Sequence, residues 1–327
     1  MTFCFGRELS CEFENWMRSI SGLGVERLCL SFICGSVSVP RDPFSDRSLE
    51  TLSLTAVLLA SGQLEGILSS CFNLEQLTLK LCNLPYKLRF SSTVTYVTFH
   101  ICGGVKEIDF QAANLRALDF HCFDNVRFIF SFVPKLENVT IHPSKADTMS
   151  YIFGDFARDL PAHVKSLAVR CGHEIKCIPI DMKMFRNIRQ LSLSLFDLYD
   201  SDILNISLLL GACPLLQYLN LTAPQVEKKS TKQRGSREPP LSPMCHTKLK
   251  EVTLGGFYGS TSEIEVALFI LRSALTLERM FLIPGYISPH RGNLATNVSF
   301  SDRERYSIQR ELHGQAISRE AVVIFYK

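Results

Sequence analysis

The sequence predicts an α/β fold built as a solenoid, on three observations. One apolar pattern recurs along nearly the whole 327-residue chain, and its copies are almost evenly spaced. The chain is also 46% hydrophobic and 20% charged, enough for a large core and unlike a disordered or collagen-like chain.

The pattern is apolar, two residues, apolar, one residue, apolar. It reads Val25-x-x-Leu28-x-Leu30, Leu49-x-x-Leu52-x-Leu54, Leu74-x-x-Leu77-x-Leu79, Val94-x-x-Val97-x-Phe99, Leu115-x-x-Leu118-x-Phe120 and Leu136-x-x-Val139-x-Ile141. It continues as Val164-x-x-Leu167-x-Val169, Ile188-x-x-Leu191-x-Leu193, Leu216-x-x-Leu219-x-Leu221, Leu249-x-x-Val252-x-Leu254 and Leu277-x-x-Met280-x-Leu282. The middle residues, Leu28 to Met280, are 24, 25, 20, 21, 21, 28, 24, 28, 33 and 28 positions apart. A leucine-rich repeat has a period of about 20–29 residues. The one longer step spans a polar insert.

A strand alternates its side chains between two faces, so Leu28 and Leu30 point inward while Cys29 and Ser31 point outward. One such strand cannot bury its apolar face alone, and stacking successive copies about 4.8 Å apart makes a parallel sheet over a continuous core. The expected architecture is a leucine-rich-repeat horseshoe with a curved parallel β-sheet and convex helices or 3₁₀ turns.

The elements follow in order. Thr2 to Phe5 has the character of an earlier repeat strand, and Glu14 to Ile20 reads as a helix with Trp16 and Ile20 on one face. Cys82 and Cys102 fall at the repeat's Asn/Cys position and are expected as buried thiols. Ser201 to Cys213 reads as a helix capped by Asp202, with Ile203, Ile206, Leu209 and Leu210 on one face. Gly255, Gly256 and Gly259 suit a tight turn. Ser262 with Glu265 reads as a capping box opening a stripe of Ile264, Leu268, Leu271 and Leu275. Ala321 to Tyr326 is a last strand. The domain reading is a repeat array over 1–224, a disordered basic and Pro-rich insert over 225–245, and a C-terminal module over 246–327 that continues the solenoid.

Net charge is only +3, so no strong field favours nucleic acid or an anionic membrane. Gly6, Arg7 and Glu8 break the apolar start, which argues against a secretory signal, and the apolar run Ile206 to Leu216 is too short to span a membrane. The expectation is an intracellular protein of the cytoplasm and/or nucleus, without membrane contact, with its 12 cysteines reduced.

The stretch from His246 to Leu282 contains "LKEVTLGGFYG", an acidic spacer, "LRSAL" and "LERMFL". It resembles the FBD-type C-terminal module of plant F-box/leucine-rich-repeat proteins. "NLEQLTLKLCNL" and "LLGACPLLQYLNL" resemble the repeats of the same family, so the likeness covers roughly residues 10 to 326. It implies the substrate-recognition part of an SCF-type, cullin-based ubiquitin ligase, with a partner protein on the repeats. Family members usually begin with an F-box that docks an adaptor. This chain looks like a member without one: its Leu-Pro pairs, Leu84-Pro85 and Leu160-Pro161, both sit among repeats. Adaptor binding is not expected unless an F-box is restored.

No phosphate-cradling loop, zinc-protease pair or nucleophile elbow is present, so no catalytic residue, cofactor or metal ligand is assigned. Function is expected on outward strand positions: Gln76, Lys80, Tyr96, His100, Asp119, His121, Asn138, His142, Arg170, Tyr218 and Asn220, as the concave binding face for a protein partner of unknown identity. Within this set His100, His121 and His142 share one register at a spacing of 21 and form a ladder of imidazoles, read as a solvated polar row. A metal-dependent enzyme at the ladder is the remote alternative. Cys171, His173 and Cys177 lack zinc-site spacing. The basic stretch Glu227 to Pro243, with Lys228, Lys229, Lys232, Arg234 and Arg237, is a weak nucleic-acid candidate, and Arg303 to Arg310 reads as a solvated helix face.

Overall fold

The structure, a computed structural model, describes residues 2–5, 19, 23–32, 37–38, 48–122, 125–171, 179, 181–195, 203–223, 245–284 and 299–326. Of the expected Glu14–Ile20 helix only Ser19 is described, in helical conformation, and Asp202 and the basic stretch Glu227–Pro243 fall outside the described residues. The chain forms two compact units, Met1–Thr148 with Asp159–Val164, and Met149–Arg158 with Lys165–Lys327.

In the first unit the repeats build a parallel sheet in the order β1 (Thr2–Phe5), β2 (Arg27–Phe32), β4 (Thr51–Thr55), β6 (Gln76–Lys80), β8 (Tyr96–Cys102), β10 (Ala117–Cys122) and β12 (Asn138–His142). Leu28, Leu52, Leu77, Val97, Leu118 and Val139 lie side by side across it. All six are buried, as are the third residues of each pattern, Leu30 to Ile141. The alternation of a strand puts these residues on one face and the intervening polar ones on the other. Thr2 to Phe5 is indeed a strand, in parallel register with Cys29 to Phe32.

The second unit repeats the arrangement with β13 (Ser166–Arg170), β14 (Gln190–Ser194), β15 (Tyr218–Thr222), β16 (Glu251–Gly255), β17 (Arg279–Ile283) and β18 (Val322–Phe325). Leu167, Leu191, Leu219, Val252 and Met280 align in the same way, and Val323 follows Met280. The last strand occupies Val322 to Phe325 of the expected Ala321 to Tyr326.

The return segments differ from expectation in one place. The steps of 20 and 21 residues return as strands instead of helices or turns. β7 (Lys87–Ser91), β9 (Glu107–Gln111) and β11 (Arg127–Phe132) form a second parallel sheet in the first unit, and β3 (Val37–Ser38) pairs in parallel with β5 (Val57–Leu58). A repeat this short leaves room for only a few residues between its two bends, and an extended segment gains about 3.3 Å per residue against 1.5 Å in a helix. Phenylalanines fill the space between the sheets. Phe90 meets Phe99 at 6.1 Å and Phe110 at 5.6 Å, and Phe120 meets Phe128 edge-on at 4.8 Å.

The described helices sit in longer steps or after the last one. α1 (Gln63–Ser70) lies between β4 and β6, α2 (Ile203–Ala212) between β14 and β15, and α3 (Thr261–Ser273) between β16 and β17; α4 (Asp302–Leu312) precedes β18. α2 buries Ile206, Leu209 and Leu210 as the periodicity required. In α3 the capping box is one candidate earlier than expected: Ser260 accepts from the Glu263 N–H, and the Glu263 carboxylate accepts from the Ser260 and Tyr258 N–H groups at 2.8 Å. Glu263 is thereby buried, and the apolar face moves to Ile264, Ala267, Ile270 and Leu271, leaving Leu268 half-buried and Leu275 exposed beyond the helix end. Burial pushes the Glu263 carboxyl up from the ordinary range, against the N–H groups that favour its charged form.

Two glycines in left-handed backbone differ in what a side chain there would meet. Gly256 and Gly62 both have left-handed φ, +68° and +80°. A Cβ at Gly256 would run into the Ala223 carbonyl oxygen, whereas one at Gly62 would meet open space. Among the described residues no helix is long and apolar enough to cross a membrane.

Three outcomes are expected from chemical denaturation. Leu118→Ala, at a fully buried position, should cost about 2–5 kcal/mol, and Gln76→Ala, exposed on the same sheet, no more than about 0.5 kcal/mol. Gly256→Ala should cost roughly 3 kcal/mol or more and Gly62→Ala only about 1–2 kcal/mol, because the second carries backbone strain without a collision. For Glu263 the folded-state pKa lies above the unfolded one, so its proton-linked stabilisation is complete below the unfolded pKa and is lost as pH rises through the folded pKa. Stability of the native chain should therefore carry a component that falls with pH just above the ordinary glutamate range, and Glu263→Gln should lack it.

Candidate functional site

The outward residues of the first unit form three rows that cross the strands. The first row runs Gln76, Tyr96, Ala117, Asn138, the second Thr78, Thr98, Asp119, Thr140, and the third Lys80, His100, His121, His142. The backbone ladder fixes these alignments, so eight of the expected site residues share one face. Gln76, Lys80, Tyr96 and Asn138 are exposed; His100, Asp119 and His121 are half-buried.

His142 corrects the expectation of a solvated row, because it is buried. Asp119 reaches diagonally to it, with its Oδ1 3.1 Å from His142 Nε2. A carboxylate only accepts, so the Nε2–H donates. The His121 ring stacks on His142 with centroids 5.0 Å apart and planes 23° apart, and His100 meets His121 edge-on at 5.0 Å. The rings thus face one another instead of converging on a point. Among the described residues no group of three or more His, Cys, Asp or Glu side chains is placed to hold a metal ion.

The remaining expected residues lie in the second unit. Tyr218 and Asn220 are exposed on β15, and Arg170 is half-buried at the end of β13. Asn220 Oδ1 accepts from the Thr222 hydroxyl at 3.0 Å. Tyr218 shares its row with Glu251 and Arg279, which the sequence reading passed over. Arg279 pairs with Glu251 at 2.9 Å, and Lys250 with Glu278 at 3.0 Å, where the carboxylate pushes the lysine pKa up. Their signal was their place next to Val252 and Met280 in the repeat. Also passed over were Glu26, Glu50 and Glu75, which sit two places before Leu28, Leu52 and Leu77. With Phe72 and Asn114 they line a depression of about 440 Å³ in the first unit.

The thiols are built into the fold. Cys82 Sγ donates to the Leu54 carbonyl at 3.4 Å and Cys102 Sγ to that of Leu79 at 3.3 Å, each reaching back to an earlier strand. The neighbouring Cys102 thiol and then burial push Cys82 up. Burial pushes Cys171 and Cys213 up to about 12, so these thiols stay neutral and unreactive. Cys171 Sγ contacts Met149 Sδ at 3.5 Å, while His173 and Cys177 fall outside the described residues. The basic run at Arg303 lies on α4, whose Ile308 and Leu312 are buried and whose Arg305 stands over the Phe325 ring at 5.4 Å.

No curated protein matches the chain. The family model described as At1g61320/AtMIF1, LRR domain, matches residues 14–293, a span that takes in every repeat from Val25 to Leu282. With the aligned repeat positions in both units, this places the chain in the At1g61320/AtMIF1 family of leucine-rich-repeat domains.

Proposed function

We propose that the protein is a non-catalytic interaction module that holds a partner protein on the outward face of its parallel sheet, and that it serves a plant ubiquitin ligase of the SCF type as a substrate-recognition part. A leucine-rich-repeat domain suggests protein binding in general. The observation that carries the reading is the set of aligned outward rows, where a rigid backbone presents exposed aromatic and polar side chains: Gln76, Tyr96 and Asn138 in one unit, Tyr218 and Asn220 in the other. Two tyrosines at such positions are suited to anchor a partner, since they bury much area with few rotatable bonds.

The ligase role rests on the resemblance of residues 246–327 to the FBD-type module. There the strand Glu251–Gly255, the turn at Gly256, the capped helix Thr261–Ser273 and the strand Arg279–Ile283 make one complete repeat, which supports reading 246–327 as a module that continues the array after 1–224.

Tyr96→Ala and Tyr218→Ala should each weaken partner binding by about 1–2 kcal/mol at an unchanged melting temperature. Proximity labelling followed by mass spectrometry, comparing the native chain with both variants, measures this: a partner set indifferent to both tyrosines would refute the face. Joined to an F-box, the chain should bring down the ligase adaptor and raise ubiquitination of the labelled partner. Adaptor recovery without partner ubiquitination would refute the substrate-recognition role.

A further inference from the structure

We infer that the row Lys80, His100, His121, His142 is a subsite for an acidic peptide segment of the partner protein, and that its affinity rises as the imidazoles gain protons. The inference rests on the reading of this sheet as a protein-binding face and names the chemistry of one part of it.

The argument is one of charge and spacing. On the outward positions of β6, β8, β10 and β12 the charged and titratable groups are Lys80, the three histidines and a single carboxylate, Asp119. The other seven are Gln76, Thr78, Tyr96, Thr98, Ala117, Asn138 and Thr140. Asp119 already faces His142 at 3.1 Å. The strand ends add Glu75, Arg116 and Glu137 on the far side of the first row, and Lys145 follows β12 on the near side. Lys80 thus puts an exposed cation at one end of the row, and the half-buried His100 and His121 add positive charge wherever an imidazole there gains a proton.

The His100 and His121 rings stand 5.0 Å apart, so a proton on one meets repulsion from a proton on the other. A ligand carboxylate laid against the row relieves that repulsion, and by linkage protons and ligand then strengthen each other's binding by the same factor. The dimensions match. Lys80 to His121 spans two strand spacings, about 10 Å, and alternate side chains of an extended peptide are about 6.6–7 Å apart, so two acidic residues reach both ends. His142, buried and held by Asp119, backs the stack, so that His100 and His121, both half-buried, are the rings presented to the ligand.

Fluorescence anisotropy of a labelled peptide of glutamates alternating with glycines, against its glutamine counterpart, tests this on the full chain. The glutamate peptide should bind about tenfold more tightly at about pH 5.5 than at about pH 7.5, and the glutamine peptide should show no such change. His100→Gln with His121→Gln should abolish the pH dependence. Lys80→Ala should weaken binding by a similar factor at both pH values. A second measurement uses the native chain alone: the glutamate peptide should raise the midpoints at which the ladder's ring protons titrate by nuclear magnetic resonance. Glutamate-peptide binding that is absent or indifferent to pH, a pH effect that survives in the double variant, or unmoved midpoints would each overturn the proposal. If these fail while partner capture still depends on Tyr96, the binding face stands and the acidic subsite falls; if capture is indifferent to Tyr96 and Tyr218 as well, the face itself falls.

Discussion

Everything on this surface depends on parallel backbone pairing between strands that are one repeat apart. Each strand bonds to the copy before and the copy after, and the register is set because a slip by one residue would turn a whole apolar set outward. Leu77 opposite Leu52 on one side and Val97 on the other leaves no alternative, since all three are buried. Once the interior is fixed, the outward residues have no freedom in their placement. His100, His121 and His142 line up in one row because Phe99, Phe120 and Ile141, the preceding residues, are locked beneath them.

The pattern of three apolar residues made the core, the strand positions and the outward rows legible before any coordinates. It repeats eleven times, and each copy is read the same way by the same burial argument. What lay between copies was less legible. The segments Lys87–Ser91 and Glu107–Gln111 alternate apolar and polar residues, a period of two that marks a strand, but the repeat family's habit of helices and turns masked it. Step length was the cue: the three steps of 20 and 21 residues hold strands, and the described helices between repeats sit in steps of 25 and 28. The capping box failed for another reason. Ser260 with Glu263 and Ser262 with Glu265 both satisfy the motif, and only burial of the Ile264 and Ala267 face selects the first.

The edge of the outward face has its own cause. Directly after the third row the chain turns through left-handed backbone at Ala56, Leu81, Ile101 and Gly256, the same place in these four repeats. For a residue with a side chain this conformation costs about 1–2 kcal/mol. Pairing offsets it: the Ala56 N–H donates to the Lys80 carbonyl and the Leu81 N–H to that of His100, both at 2.8 Å, so the ladder runs on through the bend. The thiols of Cys82 and Cys102, one residue later, donate to carbonyls of earlier strands and close the turn from inside. Lys80 and His100 are therefore held at a rim whose backbone is bonded on both sides.

A consequence is that the core and the outward surface are built from different side chains at almost every described strand position of the array. The inward set can be read as invariant in role, whatever its identity, and the outward set can change with little effect on the fold. Among the outward residues of β6, β8, β10 and β12, His142 is the exception, because it is outward by register and buried by circumstance. Its Nε2–H needs the Asp119 carboxylate, and its ring supports His121. A charge gained or lost at His121 is thus felt at a buried imidazole and at the one acidic group of the face, so on this unit the ladder's electrostatics and the packing of β10 against β12 cannot be altered independently.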